Sequence, residues 1–219
     1  CLARWCCDVI VIACHTASTV ALPSLRSRTD IPVVGVVPAV KPAAACSENR
    51  RIGLLATPAT VRRAYLDDLV REFAADCQVV RLGHPGLVLW AEALVSGAEP
   101  PQQDLDQAMQ PLREAGVDTV VLGCTHYPLL LPWLRKSLPD VRYWVESGEA
   151  IARRVAYWLE EAGRLPEAET PREAGLSVVR EACFTGEVAP QMDLFLAEMG
   201  IPVGQVTGHW PGVTAAGSV

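Results

Sequence analysis

Two short segments of the chain place a cysteine in almost the same setting. Residues 8–16 and residues 118–126 each hold an Asp, then an apolar run and a small residue, and then a Cys with Thr and His beside it. The apolar run has the length of a buried parallel strand. Cys14 and Cys124 are therefore expected at the carboxyl ends of two strands, where α/β folds bind ligands. The duplication predicts one site with a reactive sulfur on each side.

Two opposed thiols suit a particular kind of proton chemistry. A Cys between a strand end and a helix N-terminus lies near the positive end of the helix dipole, which favours the thiolate. One thiolate can remove a proton from one face of a carbon while the other thiol returns a proton to the opposite face. The alternative is a pair of buried structural cysteines, which is the commoner role of a single Cys.

The residues next to the two sulfurs favour the reactive site over the structural alternative. Thr16 and Thr125 place hydroxyl and backbone N–H groups beside the sulfurs, an arrangement that suits a substrate carboxylate. His126 lies two residues after Cys124, and its imidazole can tune or protonate groups in the same cleft.

The composition argues against several classes of protein. The net charge of −6 provides no basic surface for nucleic acid, and no apolar stretch reaches the ~20 residues of a membrane span. No secretory signal is visible, so we expect a cytoplasmic protein. Cys1, Cys6 and Cys7 lack the spacing of metal ligands. We therefore expect no metal, no nucleic-acid partner and no membrane partner.

Strand and helix signals alternate along the chain. Apolar runs predict strands at residues 9–13, 33–36, 52–56, 78–82, 119–123, 141–145 and 176–185. Helical spacing predicts helices at residues 16–27, 60–74, 86–95, 104–115, 147–162 and 189–199, and one that begins near Pro128. Asp104 and Ser147 are candidate helix caps. Residues 38–49 are interpreted as a connection between domains, and residues 164–175 as an exposed loop.

This alternation predicts an α/β fold with doubly wound, mostly parallel sheets. The duplicated unit predicts two such domains, related by pseudo-symmetry, with the active site between them. We assign residues 1–48 and 147–219 to the first domain and residues 49–146 to the second. The chain opens on Cys1 rather than Met, and we expect strand–helix units of the first domain to precede it.

Five segments resemble motifs of the glutamate racemase family. Residues 123–130 carry the family's G-C-T-H-Y-P-L-L motif without a mismatch, and residues 13–18 differ from its A-C-N-T-A-S motif at one position. Three further segments resemble the family's Thr-rich strand and loop, its D-S-G-E-A segment and its F-x-T-T-G segment, and they are residues 53–61, 147–150 and 184–186. The resemblance runs from Asp8 to about Val206, which is most of the chain.

The resemblance implies a cofactor-independent racemase of the aspartate/glutamate superfamily that acts on glutamate. It makes Cys14 the base toward D-glutamate and Cys124 the base toward L-glutamate, with His126 assisting Cys124. Glu92 falls where the family carries a Glu that contacts this His. The side chains that would bind substrate are those of His15, Thr16, Thr57, Thr60 and Thr125. The full enzyme would supply D-glutamate for peptidoglycan synthesis, and a homodimer is one possible assembly.

The chain departs from the family pattern in two places. His15 stands where the family has Asn. A neutral imidazole can replace the amide in only one tautomer, whereas a charged one would favour the thiolate at Cys14. The Gly-rich and Pro-Tyr-Gly segments that open family sequences do not occur here. Two alternatives stay open: a racemase of aspartate or a related amino acid, and a binding protein on this scaffold that has lost catalysis.

Overall fold

The architecture rests on parallel sheets. The structure is a computed structural model that describes residues 6–164 and 179–210. The largest sheet of this part of the chain, the central sheet, has four parallel strands in the order β4-β3-β5-β6. They are β3 (Arg51–Ala56), β4 (Gln78–Gly83), β5 (Thr119–Gly123) and β6 (Tyr143–Val145). Two parallel pairs accompany it: β1 (Ile10–Ile12) with β2 (Val33–Gly35), and β7 (Val179–Cys183) with β8 (Val203–Thr207).

Helices make the crossovers that parallel neighbours require. Before β6 they are α1 (His15–Arg26), α2 (Val40–Cys46), α3 (Pro58–Val61), α4 (Ala64–Phe73), α5 (Gly86–Ala93), α6 (Gln102–Ala108), α7 (Gln110–Glu114) and α8 (Leu131–Ser137). After β6 they are α9 (Gly148–Glu161) and α10 (Met192–Glu198). Short 3-10 turns follow α5 and precede α8.

The central sheet is buried on both faces, which explains its continuous apolar strands. Leu55 and Leu122 point to one side, into a cluster with residues of α5 to α8. Leu54 and Val121, one position away in their strands, point to the other side, against α2 and α4. This alternation is the two-residue period of a strand, and it fixes the pairing register of β3 with β5.

Gly123 lets the carboxyl ends of β3 and β5 approach each other closely. A Cβ atom at this position would lie 2.8 Å from the carbonyl oxygen of Leu55. Any other residue would push the two strand ends apart. The glycine therefore keeps Cys124, the next residue, beside the end of β3.

Ser18 fastens α1 to the strand pair on which it lies. Its hydroxyl donates a hydrogen bond to the carbonyl oxygen of Ile12 at 3.1 Å and accepts one from the N–H of Val36 at 2.9 Å. Because the side chain is buried, these bonds are shielded from water. They hold the first turns of α1 against both β1 and β2.

The structure confirms the predicted α/β class with parallel sheets, and it corrects several details. The connection at residues 38–49 contains α2. The helix predicted at residues 60–74 is interrupted at Arg62 and Arg63, between α3 and α4. Asp104 lies in the first turn of α6 rather than at its cap. The strand β8 was not predicted. Most of the predicted loop at 164–175 and the start of the strand predicted at 176–185 lie outside the described residues.

Two absences concern the described residues only. Over residues 6–164 and 179–210, no helix combines the length and apolar character needed to cross a membrane. Over the same ranges, no group of three or more His, Cys, Asp or Glu side chains could hold a metal ion.

Candidate active site

The carboxyl ends of β1, β3 and β5 carry the residues that the sequence singled out. Thr57 follows β3 directly and Cys124 follows β5 directly. Ala56 pairs with Gly123 in the sheet. Thr57 and Cys124, the residues that follow them, therefore lie at the same edge of the sheet. Cys14 comes two residues after β1, at the start of α1.

Three threonine hydroxyls join the start of α1 to the loop after β3. Thr16 Oγ1 lies 3.0 Å from Thr60 Oγ1 and 3.4 Å from Thr57 Oγ1. Thr57 Oγ1 and Thr60 Oγ1 are 3.0 Å apart, and Thr57 caps α3 by accepting the Thr60 N–H. We call these residues the threonine cluster. It brings two segments more than 40 residues apart in sequence into direct contact.

Cys14 is exposed and lies at a helix N-terminus. It is the N-cap residue of α1, and its sulfur accepts a hydrogen bond from the N–H of Ala17 at 3.4 Å. Backbone N–H groups at the first turn of a helix stabilise negative charge. The sulfur of Cys14 is therefore open to solvent and lies beside a backbone N–H donor.

Cys124 has the opposite environment. Its side chain is buried, with 8% of the residue exposed. Burial raises the pKa of the Cys124 thiol; a hydrogen bond from the His126 backbone lowers it, and charges on Cys14 and Glu92 raise it further. The expectation that a helix dipole favours the thiolate is therefore wrong at Cys124, because desolvation outweighs the local donors and only a four-residue 3-10 turn follows. The two cysteines lie on neighbouring parts of the site, because Thr16 contacts the loop after β3 and β3 pairs with β5.

A chain of polar side chains leads from Cys124 toward solvent. His126 Nδ1 lies 3.6 Å from Cys124 Sγ, and His126 Nε2 lies 3.5 Å from a carboxylate oxygen of Glu92. His126 is half-buried and Glu92 is exposed. The structure thus places Glu92 against His126 and His126 against the sulfur. Thr125, which lies between Cys124 and His126 in the sequence, is exposed.

His15 is buried beside Cys14. Only 4% of the residue is exposed, and its Nε2 lies 3.4 Å from the hydroxyl oxygen of Ser147. Burial lowers the pKa of His15 to about 4, although the Val37 backbone raises it. The imidazole is therefore neutral near pH 7, and a charged His15 that favours the Cys14 thiolate does not fit this structure.

Two residues near the site were not assigned a site role from the sequence. Ser147 was interpreted as a helix cap, but it makes no side-chain cap bond in α9 and contacts His15 instead. Tyr127 is fully buried, and burial together with the charge on Cys124 raises its pKa. From the sequence alone, Ser147 fits a helix cap and Tyr127 fits an apolar segment of the core. Their positions near the site become visible only in the fold.

Known proteins share this arrangement of sequence and fold. The Asp/Glu/Hydantoin racemase family matches residues 1–155. A glutamate racemase of Shewanella woodyi is 45% identical over 193 residues, 88% of this chain and 71% of that protein. A glutamate racemase of Pasteurella multocida is 54% identical over 149 residues, 68% of this chain and 55% of that protein.

Solved structures give the same result and identify the family. The Escherichia coli glutamate racemase, in complex with L-glutamate and the activator UDP-MurNAc-Ala, superposes with a TM-score of 0.78 at 38% identity, covering 94% of this chain and 76% of that one. A Bacillus anthracis glutamate racemase isoform superposes with a TM-score of 0.76 at 26% identity, covering 96% and 77%. The chain therefore belongs to the Asp/Glu/Hydantoin racemase family of isomerases.

Proposed function

We propose that this protein interconverts L-glutamate and D-glutamate, with Cys14 and Cys124 as its two acid–base groups. The observation that carries the proposal is geometric: the threonine cluster ties the turn with the exposed Cys14 to the end of β3, and the buried Cys124 lies at the end of the neighbouring strand β5. The choice of glutamate is supported by curated relatives that are glutamate racemases and by the E. coli relative, whose structure contains L-glutamate.

The proposed reaction moves one proton off the α-carbon and another onto it. A thiolate on one side takes the α-proton and becomes a thiol, and the electron pair stays on the substrate as a carbanion. The thiol on the other side then gives its proton to the opposite face and becomes a thiolate. With D-glutamate, Cys14 is the base and Cys124 the acid. This direction suits the structure, because burial keeps Cys124 protonated.

The reverse direction requires Cys124 to lose its proton first. We propose that His126 accepts it, since His126 Nδ1 is the ring nitrogen next to the sulfur, at 3.6 Å. The resulting imidazolium would be stabilised by Glu92, which faces the other ring nitrogen. By accepting this proton, His126 makes the Cys124 thiolate available although burial raises the pKa of the thiol.

The threonine cluster is the proposed place for a substrate carboxylate. Its three hydroxyls now bond mainly to one another, and each can turn its proton toward an anion instead. Thr125, exposed between Cys124 and His126, would add a hydroxyl from the other side. We further propose that the product serves peptidoglycan synthesis in the cytoplasm, and that the protein assembles as a homodimer.

Racemisation followed by chiral chromatography tests the function. The purified protein, dialysed against chelator and without pyridoxal phosphate, should convert either glutamate enantiomer into the other. Cys124→Ser should lower both rates by about 100- to 10,000-fold, because a hydroxyl is a far weaker acid than a thiol. Cys77→Ser is the matched control, since Cys77 precedes β4 at the opposite edge of the sheet, and its rates should stay unchanged.

The same assay separates the alternatives. Turnover of aspartate without turnover of glutamate would favour the aspartate racemase alternative. Binding of glutamate without any turnover in the unaltered protein would support the non-catalytic alternative. A Cys124→Ser variant with near-normal rates would contradict the assignment of the two thiols.

A further inference from the structure

A buried hydrogen-bond chain connects the start of α1 to two distant segments. His15 Nε2 lies 3.4 Å from Ser147 Oγ, and the Ser147 hydroxyl donates to the carbonyl oxygen of Val37 at 2.6 Å. Both polar side chains are buried, with 4% of His15 and 7% of Ser147 exposed. Val37 follows β2 and Ser147 precedes α9. These hydrogen bonds therefore connect the turn that carries Cys14 to the segments that lead into and out of the central sheet.

The hydroxyl proton count fixes the tautomer of His15. A seryl hydroxyl has one proton, and the short bond to Val37 uses it. Ser147 Oγ can then only accept from His15, so His15 Nε2 must carry the ring proton. Nδ1 is left with a bare lone pair. It is buried, and among the described residues it has no hydrogen-bond partner.

This tautomer bears on how His15 can act in the site. A bare Nδ1 cannot donate to a substrate carboxylate, and the single ring N–H already faces the hydroxyl oxygen of Ser147 and the Val37 backbone. Direct binding of a substrate carboxylate by His15, as the family resemblance implied, does not suit this geometry. The ring instead holds the polypeptide between Cys14 and Thr16 in place.

We propose that Ser147 is a positioning residue for the Cys14 side of the site and acts through His15. Cys14 is the N-cap of α1, and its sulfur accepts the Ala17 N–H at 3.4 Å. Thr16, on the other side of His15, belongs to the threonine cluster. Fixing the His15 ring therefore fixes both the sulfur and a substrate-facing hydroxyl. Only the expected effect of Ser147 on racemisation depends on the proposed function. Its expected effects on His15 and Cys14 do not.

The test compares three variants. Ser147→Ala removes the acceptor and Ser147→Thr keeps a hydroxyl. Ser137→Ala is the matched control, because Ser137 is also buried and its hydroxyl also donates, to Asp106 at 2.6 Å on a different part of the fold. Three readouts are used: the tautomer of His15 by nitrogen-15 NMR, the alkylation rate of Cys14 by peptide mass spectrometry, and the kcat and KM of racemisation.

We expect the unaltered protein to show the Nε2–H tautomer. In Ser147→Ala the Nδ1–H form should become populated, Cys14 alkylation should slow several-fold because the Ala17 donor is less well placed, and kcat should fall about 10- to 100-fold with little change in KM. Ser147→Thr should restore all three readouts, and Ser137→Ala should leave them unchanged.

Several results would overturn the proposal. The Nδ1–H tautomer or a charged ring in the unaltered protein would remove its basis, whether or not Ser147→Ala folds. Unchanged Cys14 alkylation in a folded Ser147→Ala variant would show that the bond does not position the sulfur. Both readouts are independent of turnover, so an unaltered protein without racemase activity would refute the proposed function while these arms still decide the role of Ser147.

Discussion

At the scale of single residues, the same short motif produces two different thiols. Cys14 caps a 12-residue helix and is exposed, whereas Cys124 is buried and precedes a four-residue 3-10 turn. Desolvation is the main cause of the raised pKa of Cys124. The proposed two-base reaction needs one deprotonated and one protonated group at its start, and the buried Cys124 would be the protonated one.

Burial of His15 predicts a loss of stability at mildly acidic pH. Its pKa is lowered to about 4 in the folded protein, against about 6.5 in an unfolded chain. The unfolded state therefore binds the proton more readily than the folded state. Protonation of His15 has no effect on stability above about pH 6.5, and it destabilises the fold progressively as the pH falls toward 4. We expect a decrease of about 2–3 kcal/mol in the free energy of unfolding over this window, measured by urea titration.

Two variants separate His15 from other histidines. His15→Gln keeps an N–H donor but does not titrate, so its unfolding free energy should vary much less between pH 6.5 and 4. His209→Asn is the control, because His209 is exposed and has a positive φ of 47° that Asn tolerates. An unchanged pH dependence in His15→Gln would show that His15 is not the titrating group.

At the scale of elements, the periodicity of the sequence predicts those strands and helices that are determined by interactions between neighbouring residues. The strands β3 and β5 were predicted within one residue, because their apolar runs and flanking turns are local signals. The interruption at Arg62 and the use of Ser147 were not predicted, since each depends on contacts with residues distant in sequence. The threonine pair Thr57 and Thr60 was assigned from the family resemblance, but its contact with Thr16 becomes visible only in the fold.

The duplicated segments also begin with different kinds of Asp. Asp118 is buried, and its carboxylate accepts hydrogen bonds from the hydroxyls of Ser47 and Thr119 and from two backbone N–H groups, at 2.7 to 2.8 Å. Burial by itself would raise the pKa of Asp118, but these bonds together hold it below its ordinary value. Asp8, at the equivalent position, pairs with Arg164 at 3.4 Å on the surface. Asp118 thus fastens the segment before β3 to the start of β5.

Removing the charge of Asp118 should destabilise the central sheet. In Asp118→Asn one carboxylate oxygen becomes an NH₂ group that cannot accept, so two donors lose their partner. We expect a loss of about 2–4 kcal/mol in the free energy of unfolding, and Asp8→Asn as matched control should cost less than about 1 kcal/mol. Because the pKa of Asp118 is lowered, its contribution is present above about pH 4 and is lost at more acidic pH. Equal effects of the two substitutions would contradict this role.

At the scale of the whole molecule, burial is unevenly distributed. The fully buried hydrophobic residues of the described chain lie between Val33 and Leu138. In residues 148–164 and 179–210 no residue is fully buried. Stability in a protein follows buried apolar contacts, and weakly buried segments open locally first. We therefore propose that residues 49–146, assigned to the second domain, form the most stable unit.

Limited proteolysis followed by mass spectrometry tests this unevenness. Early cleavage should fall in residues 148–164 and 179–210, and a fragment close to residues 49–146 should persist longest. Leu105→Ala is the control, because Leu105 is completely buried in the core of this unit, and the resulting cavity should shorten the lifetime of the fragment. Early cleavage within residues 49–146 of the unaltered protein would contradict the proposed order of stability.

The most direct test of the two-thiol reaction follows solvent deuterium into the product at early times. L-Glutamate with hydrogen at Cα is incubated with the protein in deuterium oxide, and both enantiomers are separated and analysed by mass spectrometry. In the proposed reaction two different thiols remove and return the proton, so the first D-glutamate formed should carry deuterium at Cα while the remaining L-glutamate keeps its hydrogen. Early D-glutamate that retains the original hydrogen would mean that a single group both removes and returns it, and would contradict the assignment of Cys14 and Cys124.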